Sequence, residues 1–144
     1  MEHAGMVHAL EKIHSQLKPD GILIDIHPTG EPASIEIRIR DRIIPAGWLQ
    51  ETDDYVEYEW ANEALNQIVH SGLFAVERQS VFTFNTYAAS IAELREHLAE
   101  AWKDAILDEI TAARAEELLS TIERDKEVIV RESVYIARLS PRLV

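Results

Sequence analysis

The sequence predicts an α/β fold over residues 1–144, a single domain with a small mixed sheet, an antiparallel pair of long strands, and helices packed on it. Three observations predict it. Helix-period apolar positions in the first seventeen residues run directly into an apolar strand at 21–26. Ile35-Glu36-Ile37-Arg38-Ile39-Arg40 alternates without a fault, the pattern of a half-buried strand. Two long strand-type stretches, 73–84 and 127–139, are separated by helix signals. An α+β arrangement is the alternative, should the segment 35–49 dominate the sheet.

Met6, Leu10, Ile13 and Leu17 recur at spacings of four, three and four and so share one helix face. Pro19 disfavours helical geometry at Lys18 and ends the run, and Gly21 relieves the turn that follows. The loop His27-Pro28-Thr29-Gly30-Glu31-Pro32 leads to the alternating strand. Residues 43–49 return as the other half of a hairpin, with Pro45 and Gly47 marking an edge. Thr52-Asp53-Asp54 opens a helix with a cap and early acids. Its buried side is Tyr58, Ala61, Leu65, Ile68 and Val69, and Gly72 stops it. The strand 73–84 places Phe74, Val76, Phe82 and Phe84 on one face. Ser90-Ile91-Ala92-Glu93 has the form of a capping box, opening a helix that buries Ile91, Leu94, Leu98 and Trp102. A further helix from about Asp104 is expected to bury Leu107, Ile110, Leu118 and Ile122. The strand 127–139 is closed by Ser140-Pro141.

Composition excludes several classes of function. A chain of this length buries roughly 68–70% of its unfolded surface, enough for a real core. No apolar run is long enough to span a membrane, and the N-terminus reads as an amphipathic helix rather than a signal peptide. The absence of cysteine removes disulfides and thiolate metal sites and fits a cytoplasmic protein. A formal charge of −12 repels phosphate backbones, so no nucleic-acid partner is expected.

The run ALEKIHSQLKPDGILIDIH, Ala9 to His27, resembles the fifth strand of class I S-adenosylmethionine-dependent methyltransferases together with the helix before it, through Leu17-Lys18-Pro19-Asp20-Gly21. Asp20 stands where that family usually has a second glycine, a departure that turn geometry tolerates. The resemblance is close over about residues 4–27 and architectural from 52 to 139. It implies a truncated Rossmann-like methyltransferase back half, in which two long antiparallel strands follow and the final strand lies between the other two. The family's front half, with its glycine-rich cofactor turn and ribose-binding acid, has no counterpart here, and no G-x-G occurs. No cofactor is therefore expected for the isolated chain. S-adenosylmethionine enters only if another segment supplies the missing half, in which case the chain would be part of an active methyltransferase. The expected function is a methyltransferase-like, non-catalytic domain that self-associates or binds a partner. A small-molecule binding module built on Trp48, Trp60 or Trp102 is the reading from another class.

The resemblance places Asp25, His27 and Pro28 at the carboxyl end of the fifth strand, where an active-site crevice would lie. Asp25 orienting a His27 base is the candidate catalytic pair. The plainer alternative is a strand-end acid and a loop histidine bonded to backbone, favoured because no third catalytic group is identifiable. No metal site is expected. His3, His8 and His14 are spaced at five, six and eleven, and His70 and His97 stand apart. The acids Glu51, Asp53, Asp54, Glu57 and Glu59 lack the spacing of a calcium loop. An apolar fifth strand without its usual neighbours leaves a sheet edge, so a homodimer or a protein partner covering that edge is expected unless the hairpin 35–49 covers it within one chain. The long strands are expected to pair with opposed residue numbers adding to 210, which sets Arg78 against Glu132 and Phe74 against Ile136.

Overall fold

A computed structural model describes residues 3–51 and 55–143, the side chain of Tyr55 excepted. The expected cap Thr52 and the acids Asp53 and Asp54 lie outside the described residues. Along the chain come α1 (His3–Gln16), β1 (Leu23–Pro28), β2 (Ser34–Ile39), β3 (Arg42–Trp48), β4 (Gln50–Glu51), α2 (Tyr55–His70), β5 (Phe74–Ala88), α3 (Ile91–Ala101), β6 (Ala105–Ile106), α4 (Glu109–Leu119) and β7 (Lys126–Pro141). Helix and strand are nearly balanced and the sheet is antiparallel, which is consistent with a mixed α/β or α+β class. The residues group into two compact units, and β5 and β7 contribute to both.

The first unit takes in Met1–Gly30, Asp54–Phe82 and Ser133–Val144. Here β1 pairs antiparallel with β7, from Leu23 opposite Leu139 to Pro28 opposite Val134. β5 also pairs with β7, which therefore stands between β1 and β5. α1 and α2 pack on each other, and Val7, Leu65, Ile68, Phe74 and Leu139 form the core, with Met6, Leu10 and Leu17 against it. Gly72 ends α2 as expected: its φ is +85°, and the Leu73 N–H donates to the Ile68 carbonyl at 3.1 Å. Ile13 departs from its expected place and is exposed, because α1 turns Val7 inward as the centre of its buried stripe.

The expected register between the long strands is wrong at this end. The Arg142 N–H donates to the Leu73 carbonyl at 2.8 Å, and the Arg138 Nε donates to the Glu77 carboxylate at 2.7 Å. A total of 210 would have put Ser133 opposite Glu77. The premise failed because the charges found partners elsewhere: Glu77 takes Arg138, and Arg131 takes Glu36 at 2.9 Å.

The second unit takes in Glu31–Asp53 and Thr83–Glu132. The hairpin β2–β3 forms as expected, and β2 pairs antiparallel with β7, Ser34 opposite Arg131 through Ile39 opposite Lys126. Pro45 lies on the outer strand, beside the register shift between Ile35 and Glu36. Ile35 and Ile37 are fully buried beneath Leu94, Leu98, Ala112 and Ala115 of α3 and α4. The Ser90 cap is present: the Glu93 N–H donates to the Ser90 Oγ at 3.1 Å, and the Glu93 carboxylate accepts from the Ala89 N–H at 3.0 Å, one residue before the position a full capping box uses.

Helix α4 corrects the sequence reading. It starts at Glu109, capped by the Asp108 carboxylate accepting from the Thr111 N–H at 2.7 Å. Its buried face is Thr111, Ala112 and Ala115 rather than Ile110, which is 83% exposed; Ile122, beyond the helix end, is fully exposed. Small residues let α4 lie close on β3. A Cβ on Gly47 would stand 2.5 Å from the Thr111 Oγ1, so only glycine fits there. Of the residues expected on one face of β5, Phe74 is buried while Val76, Phe82 and Phe84 are exposed.

Candidate functional site

In the first unit, β1 alternates as a strand must, but with an unusual allocation. Leu23, Asp25 and His27 turn toward the helices, while Ile24 and Ile26 turn away, 46% and 58% exposed. Being two apart on one strand, Asp25 and His27 share a face. The His27 Nδ1 lies 2.6 Å from the Asp25 Oδ2. From α2, Asn62 brings its amide oxygen to 2.7 Å from the His27 Nε2. Tyr135 stands directly opposite His27 on β7, the two rings 5.0 Å apart and tilted by 44°. The Tyr135 hydroxyl donates to the Gln79 Oε1 at 2.8 Å.

An oxygen at each ring nitrogen suits the imidazolium, which donates on both sides. The His27 pKa is accordingly raised above its ordinary 6.5. The hydrogen bond to Asp25 raises it most, burial opposes, and the Asn62 bond and the Asp25 charge add to the rise. Burial, with the Asp25 charge behind it, also pushes the Tyr135 hydroxyl above its ordinary value.

The expected pair Asp25–His27 is thus brought together, and the alternative of a loop histidine bonded to backbone is not what forms. Sequence reasoning missed Asn62 and Tyr135. Asn62 sits one residue beyond Ala61 on the α2 stripe, a polar side chain beside an apolar run, which is the signal that was available. As a base, His27 would have to release Nε2 from Asn62. As it stands, the histidine holds the Asp25 carboxylate in one orientation. Among the described residues no group of three or more histidine, aspartate or glutamate side chains converges as a metal site. Of the tryptophans, Trp60 belongs to the first unit and Trp48 and Trp102 to the second, where Trp102 packs on the core.

The face of β1 away from the helices is a second feature. Ile26 lies opposite Ile136, and Ile24 opposite Arg138. A shallow concavity of about 270 Å³ is floored by Ile24 and Ile136 and rimmed by Arg78, Gln79, Ser80 and Arg138. β1 is also an end strand: among the described residues its one strand partner is β7, and the hairpin pairs with β7 rather than with β1.

The fold and these two features define a mixed helix-and-sheet protein whose antiparallel sheet has an oriented carboxylate on its helix-covered face and aliphatic side chains on the other. The chain matches no family model, no curated protein and no solved structure. No helix of the described residues is long and apolar enough to cross a membrane.

Proposed function

We propose that this chain is a methyltransferase-like, non-catalytic domain that self-associates through the open face and free edge of β1. The observation that carries the reading is the exposure of Ile24 and Ile26 on an end strand. Unpaired strand edges template pairing with another chain, and β-branched aliphatics beside such an edge add apolar area to the contact. A second copy is the simplest cover, since a two-fold axis pairs β1 with itself antiparallel. The place of β7 between β1 and β5, antiparallel to β1, supports the methyltransferase-like descent. The capping of both His27 nitrogens, and a sequence without a G-x-G turn, support a non-catalytic role.

Sedimentation velocity at tens of micromolar tests the reading. Wild type is expected to run as a dimer and Ile26→Lys as a monomer with unchanged circular dichroism, because a charge at the seam opposes desolvation. A monomeric wild type, or a dimer that Ile26→Lys leaves intact, would reject self-association through β1.

A further inference from the structure

On the other face of β1 lies a crevice of about 270 Å³ between α1 and α2. Met6, Ala9 and Leu10 line it from α1, Ala61 and Leu65 from α2, and the Asp25 carboxylate enters from β1. We propose that this crevice is a binding site for a small apolar amine, whose ammonium pairs with Asp25. The proposal is independent of self-association, which uses the opposite face of the strand.

Three observations lead to this chemistry. The lining is apolar apart from one carboxylate and contains no lysine or arginine; the basic partner of that carboxylate is His27, at its Oδ2. That is the composition of a ligand site: a hydrophobic wall with a single orienting polar group. The carboxylate is held in place, since its Oδ2 accepts from the His27 Nδ1 at 2.6 Å and His27 is itself fixed by Asn62 at 2.7 Å. The Asp25 side chain is 25% exposed, so the carboxylate can be reached by a donor from solvent. A positive donor is favoured over a neutral one, because a charge-assisted hydrogen bond to carboxylate is about twice as strong as a neutral pair.

Size and field narrow the class. A crevice of about 270 Å³ has the room of a small molecule. The net charge of −12 repels carboxylates and phosphates and draws cations. Met6, unbranched and flexible, can adjust to the shape of the apolar body.

The test is titration of the full chain with phenethylamine and with its neutral isostere phenethyl alcohol, read by backbone amide NMR shifts near neutral pH. The amine is expected to give saturable shifts at Ala9, Asp25 and Ala61, with the alcohol weaker by about tenfold or more. Asp25→Asn is expected to reduce the amine to the affinity of the alcohol, and Ala61→Leu to abolish both by filling the crevice. Ile26→Lys, on the open face, is expected to leave amine binding unchanged, which separates this site from the self-association surface. Equal binding of amine and alcohol to the wild type would overturn the proposal without any variant. So would the absence of saturable shifts at millimolar amine, or an Asp25→Asn chain that keeps the preference for the amine.

Discussion

In the second unit β2 buries Ile35 and Ile37 and leaves Glu36 and Arg38 at the margin, where they pair with Arg131 and Glu127. In the first unit β1 does the reverse, covering Asp25 and His27 with helices and leaving Ile24 and Ile26 in solvent. Both strands alternate with period two, and both are rich in isoleucine. What differs is the layer each faces. α3 and α4 present leucine and alanine to β2, whereas α2 presents Asn62 to β1. Burying an ionised pair is favourable only when its remaining hydrogen-bonding capacity is met, and Asn62 meets it at Nε2. Sequences break the apolar-inside rule chiefly where a site needs it, so the inverted strand, not the regular one, is where function is to be sought.

The largest effect expected from probing this contrast is in the second unit. Ile37→Thr keeps a β-branched side chain but removes methyl and methylene carbons and buries a hydroxyl at a fully covered position. A loss of about 3 kcal/mol in urea unfolding is expected. A loss below about 1 kcal/mol would mean that the second unit's core is not what stabilises the chain.

Next comes the polar pair. Asn62→Ala leaves a buried His27 N–H without an acceptor, with an expected cost of about 1–3 kcal/mol. The same change at the exposed Asn66, one helical turn further along α2, should cost little by urea unfolding and serves as the control.

The pH dependence carries a definite sign. The folded-state pKa of His27 lies above its ordinary 6.5, so the stability it contributes is fully present below about 6.5 and is lost as pH rises through the folded-state value. Unfolding free energy should therefore fall as pH rises from about 6.5, and His27→Gln should flatten that fall. The other charged groups in reach are Asp25, which pairs with His27, and Tyr135, whose own pKa is pushed further above 10. Glu132, raised by burial from 4.5, would account for a residual slope in the variant at lower pH. A wild type whose stability rises over that window would mean that His27 is held neutral.

How far the sequence could be read depended on how local the cause was. Alternation placed Ile35 and Ile37 inside, Ser90 and Glu93 announced their cap, and Asp25 and His27 met because two residues apart on a strand means one face. Asn62 was out of reach because it meets His27 across thirty-five residues, through the packing of α2 on β1. Ile110 was misread because helical periodicity rewards large apolar side chains, while α4 seats itself on β3 by its smallest ones. The register of β5 on β7 was misread because four charges were paired with each other on paper, and two of them took other partners.

The smallest expected effect on stability is the one that isolates the inversion. Ile26→Thr makes the same chemical change as Ile37→Thr, on a strand again, and both side chains are β-branched, so local strand preference is nearly constant between them. Ile26 is 58% exposed and lies opposite Ile136, whereas Ile37 is fully buried. In dilute solution, where association is absent, the expected change in unfolding free energy is within about 0.5 kcal/mol. At concentrations where a dimer forms, the same variant should weaken association, since it removes apolar area from the seam and leaves the strand backbone unaltered. A loss in dilute solution comparable with that of Ile37→Thr would show that Ile26 is covered within one chain. The open face would then be closed, and the self-association proposed for it would lose its surface.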